Sequence, residues 1–135
     1  MKPKKIEFTF ERTLQASPEA AFAAWLNPKF RGNPWNLGDK LILHPEVDGL
    51  FYWKISGMSH YGRFTTVRRG RRLKHTWVSS NTLGEESTVD VTFRKKGAGT
   101  VMRLVHSGLP NTEGGRTHQK GWNYFLDAFA PQFRA

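Results

Sequence analysis

Alternation of apolar and polar positions predicts β-strands over most of this chain. Ile6, Phe8, Phe10 and Leu14 share one side of an extended segment, with charged or polar residues between them, which is typical of a half-buried strand. The same period-two pattern recurs in six later runs, separated by glycine, proline and asparagine turns. The short intervals favour an antiparallel meander joined by hairpins. The predicted strands are residues 6–14, 40–44, 50–56, 60–68, 73–78, 87–94 and 100–106.

Two segments show helical signals instead. Ser17 is a favourable N-cap residue, and Pro18 suits the first position of a helix that ends before Asn27–Pro28. Residues 28–38 predict a short helical or looped connection anchored by Trp35. Residues 112–115, Thr-Glu-Gly-Gly, predict a local hinge before a long last helix at about 115–133. The apolar stripe of that helix follows i, i+3, i+4, i+7 spacing and consists of Trp122, Phe125, Leu126 and Phe129.

These elements predict an α+β fold. A sheet with one apolar face must cover that face, and the C-terminal helix is the long helix available to do so. We therefore expect a curved antiparallel sheet of about six to seven strands wrapped on the C-terminal helix, with short helices after the first strand. The length of 135 residues suits a single domain, residues 1–135.

Several motifs resemble a known family. Residues 100–109 read Thr-Val-Met-Arg-Leu-Val-His-Ser-Gly-Leu, and residues 118–122 read His-Gln-Lys-Gly-Trp. Residues 16–25 look like an opening helix, and residues 72–77 read Arg-Leu-Lys-His-Thr-Trp. In this order the motifs resemble the START-like (SRPBCC) superfamily and, within it, homologues of the carboxy-terminal domain of the heat-shock-protein-90 ATPase activator (AHSA-type). The resemblance covers nearly the whole chain and implies a helix-grip (START/Bet v-like) fold; Asp48 departs from it, since a glycine is usual there.

The aromatic content points to a cavity. The chain is 13% aromatic, with 5 Trp and 10 Phe, and rings fill the space around one helix less efficiently than branched aliphatic side chains. The resemblance also implies a pocket between sheet and helix. Such a pocket would bind a small hydrophobic ligand, lipid-like or aromatic. The candidate lining residues are Trp25, Phe51, Trp53, Phe64, His75, Trp77, Met102, Leu104, His106, His118, Trp122, Phe125 and Phe129.

His75, His106 and His118 are the polar candidates at this cavity. If they converge, they could orient a ligand carbonyl or act as a general acid or base. The alternative is that each is hydrogen-bonded as part of the fold. The chain has no cysteine, no metal-ligand spacing such as His-x-x-x-His and no Gly-x-Ser-x-Gly motif. We therefore assign no catalytic residue and expect neither a metal nor another cofactor.

The charge of the chain bears on its partners. The net charge is +10 and the isoelectric point is near 10.3, with basic runs at residues 68–74 and 94–96. Such a surface suits an acidic protein, and the resemblance implies a chaperone. Nucleic acid is not favoured, because most rings face the core rather than forming stacking platforms. We expect a cytoplasmic protein, because no apolar run could span a membrane and the basic residues 1–5 precede no apolar signal segment.

Three functions remain open at this point. The leading interpretation is a binding module for a small hydrophobic molecule. The second is an enzyme of the polyketide cyclase or aromatase kind, which the superfamily also contains. The third is a cochaperone-like, regulatory interaction. The sequence does not distinguish a monomer from a dimer.

Overall fold

A computed structural model describes residues 4–133, so residues 1–3 of the basic N-terminal run lie outside the described residues. Its strands are β1 (Lys5–Leu14), β2 (Lys40–Leu43), β3 (Leu50–Ile55), β4 (Met58–Arg68), β5 (Arg72–Trp77), β6 (Ser87–Lys96) and β7 (Gly99–Pro110). They form one antiparallel sheet in the order β1-β7-β6-β5-β4-β3-β2. The predicted helix-grip architecture and all seven predicted strands are confirmed.

Two α-helices accompany the sheet, α1 (Pro18–Trp25) and α2 (Glu113–Phe129), with 3-10 turns at Pro34–Leu37, Ser80–Thr82 and Ala130–Phe133. The hydroxyl of Ser17 caps α1 by accepting a hydrogen bond from the Ala20 amide at 3.2 Å. None of the helices within residues 4–133 is long and apolar enough to cross a membrane.

The beginning of α2 differs from the predicted hinge. Thr112 is the N-cap of α2, and its hydroxyl accepts a hydrogen bond from the Gly115 amide at 3.0 Å. A Cβ on Gly115 would lie 1.8 Å from the carbonyl oxygen of Pro110. The glycine is therefore required by close packing of the helix against the end of β7 rather than by flexibility.

The core lies between α2 and the sheet face that α2 covers. Inward residues of β3, β5, β6 and β7 are buried in the alternation that the sequence predicts, and the stripe of α2 packs onto them. The buried positions include Phe51, Trp53, Leu73, His75, Trp77, Val89, Val91, Phe93, Met102, Leu104, His106, Trp122, Leu126 and Phe129.

One charged residue occupies the inward face of the edge strand β1. Arg12 pairs with Met102 in the sheet register and so points to the same side. Its guanidinium donates to Asp127 at 3.1 Å and to Asn123 at 2.8 Å. Both acceptors belong to α2, so this arginine fastens the helix to the sheet edge.

The strand β7 extends beyond its predicted end at residue 106. In the register with β1, Leu109 faces Ile6 while His106 faces Phe8, so β7 carries one extra residue between these pairs. Gly108 lies in this bulge with φ +75°, a conformation that glycine adopts without steric cost. The glycine therefore bends the strand instead of ending it.

Candidate functional site

A slot opens between α2 and the sheet, beside the turn that joins β3 to β4. Its volume is about 140 Å³. Aromatic rings form most of its walls, with a few polar groups among them. The lining residues are Trp53, Ile55, His60, Trp77, Asn81, Thr117, His118, Gly121, Trp122 and Phe125.

The rings of the slot are held in fixed positions by one another. Trp53 meets Phe125 edge to face at a centroid distance of 5.5 Å, and Trp77 lies 5.4 Å from Trp122. The imidazole of His60 lies 4.9 Å from Trp77. These separations are those of favourable aromatic pairs, so the walls are preformed.

His106 is fully hydrogen-bonded under the slot. Ser87 Oγ donates to the Trp77 carbonyl at 2.7 Å, and therefore accepts from Nε2–H of His106 at 2.8 Å. Nδ1 of His106 accepts from the indole Nε1–H of Trp122 at 2.9 Å. This pattern requires a neutral imidazole with its proton on Nε2.

His118 makes the reciprocal bond from the helix. Its Nε2 accepts from the indole Nε1–H of Trp77 at 3.2 Å, and its Nδ1–H points to the carbonyl oxygens of Gly114 and Gly115 at 3.2 and 3.1 Å. Two indole-to-imidazole bonds therefore join α2 to the sheet, one to β5 and one to β7. We call this pair of bonds the Trp–His latch.

Burial keeps these imidazoles neutral. It lowers the pKa of His75 to about 4. It also lowers the pKa of His60, His106 and His118, and the nearby His118 imidazole adds to this effect at His60 and His106. The hydrogen bonds agree, because protonation of the acceptor nitrogen of His106 or His118 would place an N–H against an indole N–H.

Replacing Trp122 by Phe should show how much its hydrogen bond to His106 stabilises the fold. The substitution leaves Nδ1 of His106 as a buried acceptor without a donor, which costs about 1–3 kcal/mol beyond the lost ring volume. The matched control is Trp25→Phe, because Trp25 is equally buried but its Nε1 has no hydrogen-bond partner within the described residues. Urea unfolding followed by circular dichroism should show the larger loss for Trp122→Phe. Equal losses would mean that the indole–imidazole bond contributes nothing.

Five of the thirteen candidate residues border the slot, and eight lie elsewhere. The eight are packed in the interior, each at most 2% exposed, and the aromatic ones among them interlock: Phe51 meets His75 at 4.9 Å and Trp25 meets Phe129 at 5.0 Å. A ligand contact at these eight positions stays a prediction. They are Trp25, Phe51, Phe64, His75, Met102, Leu104, His106 and Phe129; the five at the slot are Trp53, Trp77, His118, Trp122 and Phe125.

Five residues that line the slot are not among the thirteen candidates from the sequence. His60 carried a usable signal, because alternation along β4 from the inward Phe64 places it on the same face. Gly121 carried none, since an isolated glycine in a helical pattern has no defined partner. The others are Ile55, Asn81 and Thr117.

The histidines offer little for proton transfer. Of the three that the sequence singled out, His118 borders the slot, but both of its ring nitrogens are engaged, as are those of His106. The Nδ1 of His75 bonds the carbonyl of Thr76 at 2.9 Å. Within residues 4–133 no three side chains of the His, Asp or Glu type gather as metal ligands.

Comparisons with known proteins agree with this architecture. Residues 15–133 match the model of the family described as Activator of Hsp90 ATPase homolog 1-like protein. The curated proteins contain no match to this chain.

Three solved structures illustrate the shared fold. Protein MLL2253 from Mesorhizobium loti is 20% identical with a TM-score of 0.81, over 94% of this chain and 96% of that one. PFC0360w, an HSP90 activator from Plasmodium falciparum, is 23% identical with a TM-score of 0.76, over 90% and 91%. The Aha1 dimer from Colwellia psychrerythraea is 14% identical with a TM-score of 0.76, over 95% and 96%. At such identities the likeness is one of fold.

Proposed function

Because this chain belongs to the Activator of Hsp90 ATPase homolog 1-like family, whose helix-grip fold can carry a ligand-binding or regulatory role, we propose that its slot binds a small, flat, largely apolar molecule. Three indoles and a phenyl ring surround the space, so an aromatic ligand would meet ring faces and edges. The few polar groups, His60 and Asn81 among them, suit one polar substituent on that ligand.

The volume of the slot limits the ligand to about one ring. Its 140 Å³ is close to the engineered cavity of about 150 Å³ that binds benzene in another protein. A lipid with a long acyl chain would need far more space. Among the ligands expected from the sequence, the geometry thus favours a single-ring aromatic compound over a lipid.

A glycine in the middle of α2 carries this proposal. Gly121 lies on the same helix face as His118, Trp122 and Phe125, and a Cβ built on it would meet no atom within 4 Å. A helix-interior glycine costs about 1 kcal/mol relative to alanine. No neighbouring residue requires its absence of a side chain, in contrast to Gly115. We infer that an open slot is what this glycine provides.

Filling the slot from Gly121 should weaken ligand binding strongly. Gly121→Leu places a branched side chain at the mouth, and binding of single-ring probes such as p-cresol and 4-hydroxybenzaldehyde should weaken at least about tenfold. Saturation-transfer NMR measures this, and quenching of tryptophan fluorescence checks it. Gly121→Ala is the matched control, which should retain affinity to within about threefold because a methyl group leaves most of the space open.

Two results would contradict the proposal. One is that no single-ring probe binds the unsubstituted protein at millimolar concentration. The other is that Gly121→Leu, shown to be folded by circular dichroism, binds the probes as well as Gly121→Ala does.

A regulatory interaction with an acidic, chaperone-type protein is the second candidate. The family description and the net charge of +10 support it. Retention of this chain on an acidic chaperone should be strong at about 50 mM salt and weak at about 500 mM, because screening shortens the range of the attraction. Retention that is independent of salt would argue against it. The single-domain organisation and the cytoplasmic location also remain proposals.

A further inference from the structure

The two basic hairpins meet at one end of the molecule. The β4–β5 turn and the β6–β7 turn lie at the same end of the sheet, and the beginning of α1 lies between them. Together they enclose an open groove of about 700 Å³, which we call the basic groove. Its lining residues are Ser17, Pro18, Glu19, Gly70, Arg71, Phe93, Arg94, Lys95, Gly97, Ala98 and Gly99.

The cations of the two hairpins, three of which line the groove, have no acidic partner among the described residues. Six exposed cations lie on the two hairpins, and none of them forms an ion pair with another of the described residues. Arg72 on the same hairpin differs, because its guanidinium binds Asp90 at 2.7 Å. Glu19 is the one carboxylate that lines the groove within the described residues. The six cations are Arg68, Arg69, Arg71, Arg94, Lys95 and Lys96.

The floor of the groove is apolar. Phe93 is 4% exposed, and its ring packs edge to face on Phe22 at 5.6 Å. Pro18 and Ala98 add apolar surface, and the glycines at 70, 97 and 99 leave the floor without side chains. A ligand that fits must therefore combine negative charges at its edges with an apolar group beneath them.

We propose that the basic groove binds an acidic peptide segment of a partner protein. Carboxylates of the peptide pair with Arg71, Arg94 and Lys95, and an apolar side chain between them rests on Pro18 and Ala98, above the buried ring of Phe93. This inference does not depend on the slot, which lies at the opposite end of the sheet. It would supply a surface for the regulatory interaction described above.

Other anionic partners fit the groove less well. Single-stranded nucleic acid needs exposed rings for stacking, whereas Phe93 is buried under the groove. An anionic membrane is flat, and the turn tips at Gly70 and at Gly97–Ala98 carry no large apolar side chain that could insert.

Fluorescence anisotropy of a labelled peptide tests the proposal. The probe is a peptide of about ten residues, rich in Asp with one central Phe, and its Asn-substituted counterpart is the neutral comparison. The double variant Arg71→Glu/Lys95→Glu should bind the acidic peptide at least about tenfold more weakly. Replacing the central Phe of the peptide by Gly should weaken binding severalfold, because the apolar floor then has no partner.

The matched control separates the groove from net charge. Lys40→Glu/Lys54→Glu changes the charge equally at the opposite end of the sheet, where Lys40 pairs with Lys54, and it should keep affinity within about twofold at low salt. Equal losses in the two double variants would overturn the proposal. It would also be overturned if a single-stranded oligonucleotide, or vesicles containing phosphatidylserine, bound more tightly than the acidic peptide with the same dependence on Arg71 and Lys95.

Discussion

Acidification from about pH 7.5 to about pH 5 should destabilise the fold by at least about 2 kcal/mol. Burial lowers the pKa of His75 to about 4, whereas an unfolded histidine titrates near 6.5. Between these values the unfolded state binds the additional proton, so the free energy of unfolding is highest above about pH 6.5 and decreases as the pH falls towards 4. At about 1.4 kcal/mol per pH unit, His75 alone accounts for about 2 kcal/mol of the loss by pH 5. His60, His106 and His118 act in the same direction.

Urea unfolding at the two pH values measures this loss. His75→Leu removes the titrating group from a site walled by Phe51 and Phe64, so its stability should depend less on pH than that of the unsubstituted protein, whatever its stability at pH 7.5. The matched control is His44→Gln, which replaces an exposed imidazole between β2 and β3 and keeps all the buried imidazoles, so the loss of stability at pH 5 should persist. A free energy of unfolding that is the same at both pH values would show that the buried imidazoles are protonated as readily as free ones.

The strands and the last helix could be predicted from the sequence because their burial follows simple periods. Alternation placed Trp53, Trp77 and Met102 on the covered face, and the 3.6-residue period placed Trp122 and Phe129 on the facing side of α2. Each of these signals is local: a side chain lies inside or outside according to its position along one element. The end of β7 could not be predicted in this way, because the bulge at Gly108, which lets the strand continue, depends on pairing with β1.

The site could be predicted only in part, because it depends on how rings from different elements fit together. The composition indicates many aromatic side chains but not whether they interlock. Around His75 and Phe51 they fill the interior, and beside Trp53 and Phe125 they leave a slot. The hydrogen bonds of the histidines could not be predicted for the same reason. The spacing of His106 and His118 gave no sign that each accepts a hydrogen bond from an indole, because in both bonds the indole and the imidazole belong to different elements.

The same limit applies to the glycines of α2, which have opposite roles that their sequence context does not reveal. Gly115 touches the backbone of Pro110, and Gly121 faces open space. Gly115→Ala should therefore destabilise the protein by about 3 kcal/mol, because a carbonyl group of the main chain must move to admit the methyl group. Gly121→Ala should stabilise it by up to about 1 kcal/mol, because alanine favours the helix and nothing obstructs its side chain.

Thermal and urea unfolding of these two variants provide an internally controlled test, since both make the same chemical change in one helix. The two changes in the free energy of unfolding should have opposite signs. If both variants gained stability, the helix would begin after Gly115 rather than at Glu113, and residues 112–115 would be the flexible hinge that the sequence first predicted. If both lost stability, the space beside Gly121 would be occupied in solution, and the slot could not accept a ligand without moving α2.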